Sequence, residues 1–75
     1  VTYDELEKSG WVRMEGSKHG LYPVLKMGRV SVDTQTHTLY AKGTEDIVRR
    51  KMKVFKNEGD AACGAVLLEA VLGDA

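Results

Sequence analysis

Seventy-five residues and 8.3 kDa allow one domain, 1–75, and a chain this short buries only about 60% of the surface its unfolded form exposes. With 43% hydrophobic and 29% charged residues, the composition is that of an ordinary globular domain, which excludes a disordered or fibrous chain. Eleven Lys and Arg against eleven Asp and Glu cancel, and that balance argues against a nucleic-acid coat or a membrane-surface protein, which carry a basic excess.

In chain order, Thr2 followed by Glu5 matches a capping box, and Gly10 follows good helix formers, so the sequence predicts a short helix over about 3–9. Trp11 to Glu15 then turns to β composition, and Gly16-Ser17-Lys18-His19-Gly20 reads as a turn by its two glycines. Its residue types are those of a phosphate-cradling loop, but the spacing is wrong and no helix follows. Residues 21–33 read as one long strand that starts near Pro23 and bends at Gly28.

Asp33 then opens a short polar turn, where its carboxylate can accept the backbone N–H groups that follow. His37 falls where such hairpins ask for a positive φ, which His tolerates better than most residues, and a strand restarts near Thr38 and runs to 42.

Thr44, Glu45 and Asp46 resemble the cap and acidic first turn of a helix. From Ile47 the apolar positions fall in an arc of about 160°, which predicts an amphipathic helix over 45–57. The competing reading is a strand from Met52 to Lys56, because Met52 and Val54 alternate with lysines. Asn57-Glu58-Gly59 ends this element, Asp60 caps the next, and a helix over 60–72 is apolar nearly all round. The expected fold is α+β: a three-stranded antiparallel β-meander (11–15, 21–33, 38–42) with a short N-terminal helix and two C-terminal helices packed on one face. The other sheet face is left for solvent or a partner.

A single cysteine, Cys63, excludes an intramolecular disulfide and points to a reducing compartment, the cytoplasm. One Cys with His19 and His37 is too few ligands for a structural zinc site, and the sequence calls for no metal and no cofactor. No apolar run is long enough to cross a bilayer, so no membrane partner is expected. The chain begins at Val1 with no signal-peptide pattern and no Met, as a processed product or a piece of a longer protein does. Cys63 in the first turn of a helix is where a dipole lowers a thiol's pKa; its small apolar neighbours favour a buried structural thiol instead. No paired-acid, Gly-x-Ser-x-Gly or His-Glu-x-x-His pattern occurs, and the chain reads as a non-enzyme.

Two binding readings remain. The first is a protein-interaction module, a homo-oligomer or an accessory or inhibitory subunit of a larger assembly. It rests on the 60–72 helix, with Ala61, Ala65, Leu68 and Leu72 as the interface and a sheet edge near Pro23 or Thr34-Thr36-Thr38 for a partner strand. The second is nucleic-acid binding. Residues 47–57 carry five cations and no acid, whereas 58–75 carry four acids and no base; Arg49, Arg50, Lys53 and Lys56 would meet phosphates, with Trp11, Tyr22 and Tyr40 for stacking.

Overall fold

The computed structural model describes residues 1–14 and 23–73. Helix α1, Tyr3–Lys8, opens with the capping box read from the sequence: Thr2 Oγ1 accepts from Glu5 N at 3.2 Å and Glu5 Oε1 from Thr2 N at 3.0 Å. Five strands follow, β1 (Val12–Met14), β2 (Val24–Met27), β3 (Val30–Asp33), β4 (Thr38–Ala41) and β5 (Arg50–Val54), and then helix α2, Glu58–Gly73. All neighbours pair antiparallel in the order β1-β2-β3-β4-β5.

The class is α+β, but the sheet has five strands where three were expected, and one C-terminal helix stands where two were expected. The first difference lies at Gly28. Met27 pairs with Val30, so Gly28 and Arg29 form a two-residue hairpin loop with Gly28 at φ 58°. Glycine at the first central position is what a II′ turn requires, and the sequence carries that signal where a bend in a long strand was expected.

The second difference lies at 45–57. Asp46 Oδ2 accepts from Gly43 N, and Asp46 N donates to Gly43 O, which closes a turn where a helix was to begin. Arg50–Val54 then pairs along β4, whose backbone groups would otherwise stand open. All five residues of the strand are exposed, so pairing with β4, and not a sorting of cations from Met52 and Val54 onto two faces, decides it over the helical arc. Leu39 pairs with Lys53 and Tyr40 with Lys51, so Met52 is the extra residue of a bulge.

Helix α2 starts earlier than expected because Asn57, not Asp60, caps it: Asn57 Oδ1 accepts from Asp60 N at 2.9 Å. At the other end Arg29 donates to Leu72 O at 2.7 Å, placing a cation on the orphan carbonyls and the negative end of the helix dipole.

Because cross-strand partners share a face, the register sorts the sheet. Leu25, Val32 and Leu39 form one row toward the helices; Met27, Val30 and Ala41 form the next. Leu6 and Tyr3 from α1 and Ala61, Ala62 and Ala65 from α2 close this core, with Trp11 buried among them. Alanines on the inward face let α2 lie close to the sheet. At Gly64 the approach is closest, since a methyl group there would sit 2.5 Å from Phe55 Cζ. The opposite face carries Val12, Lys26, Ser31, Tyr40 and Lys51 in one row, and among the described residues no helix covers it.

Candidate functional site

The Asp33 turn forms as its sequence implies: Asp33 Oδ1 accepts from Gln35 N at 2.9 Å and Thr36 N at 3.2 Å, and His37 takes φ 55°. His37 is also a fastening point. Its Nδ1 lies 2.5 Å from Tyr3 Oη, the rings stack at 5.8 Å, and its carbonyl accepts from Phe55 N. Tyr3 N in turn donates to Glu58 Oε2 at 2.7 Å, so α1, the β3–β4 turn and the start of α2 meet here. Burial pushes the Tyr3 phenol up to about 12, helped by the negative charges of Glu58 and Asp33, so the phenol keeps its proton beside the imidazole. The cluster is a clasp between elements. Its groups bond one another, which leaves no activated nucleophile aimed at a cleft.

Cys63 is exposed and lies one turn beyond the start of α2, so neither reading of it holds: it is not in the first turn, and it is not buried. His37 is held by Tyr3, while Gly16 to Gly20, with Lys18 and His19, lies outside the described residues. Among the described residues no group of three or more His, Cys, Asp or Glu side chains could hold a metal ion. Among them, too, no helix is long and apolar enough to cross a membrane.

The basic residues no longer share a helical face. Arg49 reaches back to Gly28 O at 3.3 Å, with its Nε buried and unpartnered. Arg50 lines a groove with Leu68 and Leu72, Lys53 Nζ sits 5.2 Å from the Phe55 ring centroid, and Lys56 is exposed beyond the strand. Of the aromatics proposed to stack on bases, Trp11 is core, Tyr22 lies outside the described residues, and Tyr40 is half-buried beside Lys51 on the uncovered sheet face. Cations and a bulge on an exposed edge strand are the ordinary means of keeping that edge from pairing with another chain. That role accounts for β5 without a phosphate ligand.

The edges named for strand addition are closed as well. Pro23 precedes an inner strand, its carbonyl accepting from Thr34 N and Thr34 Oγ1, and Thr38 belongs to a strand paired on both sides.

Helix α2 remains. Ala61 and Ala65 are fully buried against the sheet, and Leu68 and Leu72 pack beside them half-buried. The open face of the helix is a different set: Cys63, Val66, Leu67, Ala70 and Val71, spaced as one stripe by three and four residues. Leu67 is 63% exposed, Val71 69% and Val66 41%, and none of the five side chains is charged. Leu68 and Leu72 line a groove with Arg29, Lys42, Asp46 and Arg50, and in the segment that precedes β5 Ile47 and Val48 stand 92% and 73% exposed. Single exposed apolar residues are normal on a protein surface; a continuous uncharged stripe on one helix is not. The inward residues were legible as interface candidates because the whole helix is apolar. What the sequence does not carry is which side the sheet takes.

Compared with protein-family models, curated proteins and solved structures, the chain matches none.

Proposed function

We propose that this domain is a non-enzymatic protein-interaction module that docks through the outward face of α2, at work in a reducing compartment such as the cytoplasm. The observation that carries the reading is the uncharged stripe Cys63, Val66, Leu67, Ala70 and Val71 on a helix whose other side already fills the core. Water in contact with that stripe is released when an apolar surface covers it, which is the main driving force of association. A single cysteine with no disulfide partner fits a reducing surrounding.

Contrast with β5 supports the assignment. Both elements are exposed, but β5 is guarded by Arg50, Lys51 and Lys53, whereas the α2 stripe has no guard. The size of the helix sets an expectation for strength. One face of a 16-residue helix, about 24 Å long, falls short of the ~800 Å² per partner of a standard interface, so binding through α2 alone is weak and reversible.

Binding of an apolar fluorescent dye to the native chain at high dilution tests the reading. The dye binds the wild type, and Leu67→Glu and Val71→Glu each abolish the signal with the circular dichroism spectrum unchanged. Dye binding that persists undiminished in both variants places the sticky surface elsewhere and removes α2 as the docking face.

A further inference from the structure

We infer that the groove on the flank of α2, lined by Arg29, Lys42, Asp46, Arg50, Leu68 and Leu72, is a second binding site and takes a free organic acid, a carboxylate on a short apolar body. It shares no residue with the outward stripe and stands whether or not that stripe docks a partner. The groove holds about 310 Å³, near the lower end, about 300 Å³, of small-molecule sites.

Strand pairing gathers the cations. Lys42 N donates to Arg29 O at 3.1 Å, and Ala41, next to Lys42, pairs with Arg50, so three strand ends bring their basic residues together. Arg29 donates one N–H to Leu72 O at 2.7 Å, which fixes the guanidinium beside the groove and leaves further donors of its planar fork for a ligand. Among the described residues none of the three cations has an acidic partner within ion-pair distance. Asp46 is the one acid of the lining, and its Oδ2 is engaged by Gly43 N at 3.0 Å. Glu69, the next acid along α2, turns its carboxylate beside Gly73. Three cations against one lining acid leave a positive excess, which a carboxylate complements.

The rest of the lining is apolar. Leu68 and Leu72 from the helix face Ala41 and Met52 from the sheet, a surface suited to a hydrocarbon body and to no second charge. A peptide fits less well than a free acid. Its backbone N–H groups need acceptors, whereas the lining side chains Arg29, Lys42 and Arg50 are donors only and the Asp46 carboxylate already holds the turn.

Titration of the isotope-labelled chain with sodium octanoate, followed by two-dimensional NMR, tests the inference. Octanoate shifts the amide signals of Lys42, Arg50, Leu68 and Leu72 along one saturable curve, and octanamide, of the same shape without the charge, binds about tenfold more weakly. Added salt weakens octanoate and spares octanamide. Lys42→Gln and Arg50→Gln each weaken octanoate about twofold to fivefold with the circular dichroism spectrum unchanged. Lys56→Gln removes a cation at the other end of α2 and leaves the affinity as it was. Equal binding of octanoate and octanamide overturns the role of the cations. Shifts centred on Cys63, Leu67 and Val71, or no saturable shift at all, overturn the groove as the site. Asp74, outside the described residues, supplies the remaining control: Asp74→Asn leaves octanoate binding unchanged, and a gain above about threefold would make the chain's own end the occupant and overturn the free acid.

Discussion

Strand β5 and helix α2 are the last two elements of the chain, and both present more side chain to solvent than a domain of this size can readily spare. They do so in opposite ways. All five residues of β5 are exposed, and its three cations and bulge keep the unpaired edge hydrated and irregular. The outward stripe of α2 is equally open and has neither charge nor irregularity. The contrast teaches that exposure alone is not a reason to propose association; exposure without charge or irregularity is what the proposal rests on. On the proposed reading, polarity at β5 keeps that edge from pairing, and apolarity at α2 is what a partner would cover.

The sharpest way to break this contrast is to charge the two sides of α2 in turn. Ala65 is fully buried between helix and sheet, so Ala65→Asp places an unpaired carboxylate in the core and costs about 3 kcal/mol or more. For a domain of this size that loss unfolds most of the chain, whereas Leu67→Glu on the outward side leaves the urea midpoint within experimental scatter. Equal effects at the two positions would erase the distinction between the faces.

Gly64 reports on the inward side more gently. Alanine there gains helix propensity but drives its methyl group onto the Phe55 ring, and the clash exceeds the gain, for a net loss of about 1–2 kcal/mol in chemical denaturation. Removing the cap with Asn57→Ala costs about 1 kcal/mol by the same measurement. At β5 the expected change is smaller still in stability and larger in behaviour. Lys51→Val with Lys53→Val shifts the midpoint by no more than about 0.5 kcal/mol, yet light scattering rises as unguarded edges pair.

The clasp between α1 and α2 gives a pH test. The folded Tyr3 phenol titrates near 12, above its ordinary value of 10.0, so the folded state holds that proton more tightly. The stabilisation is fully present below pH 10 and is lost as pH rises toward 12. Tyr3→Phe flattens the alkaline limb of stability against pH, and an unchanged limb would mean that burial and the nearby carboxylates do not hold the Tyr3 proton in the folded state.

Local chemistry was the legible part of this chain. Thr2 with Glu5, and Asp33 with the two N–H groups after it, are contacts within three residues, and they form as their spacing implies. Gly28 misled because one glycine was weighed alone, although Gly28-Arg29 together make the two-residue loop that a hairpin needs. At 45–57 the helical arc outweighed the short alternation from Met52 to Lys56, and the open edge of β4, a feature many residues away, decided for the strand. For α2 the difficulty was of another kind. A helix apolar on every side has no period to point at the core, so its inward face followed from size, Ala61, Ala62 and Ala65 permitting the close approach that Val66, Leu67 and Val71 forbid.

The most direct measurement of the central claim uses Cys63, which lies in the stripe and needs no substitution. Its rate of reaction with a thiol reagent in the native chain should be fast at high dilution, fall when the apolar dye is bound, and lose that dependence in Leu67→Glu. A thiol that reacts slowly at every dilution would mean that the stripe is not open in the monomer. A rate that the bound dye leaves unchanged would mean that the apolar surface it binds is not this stripe.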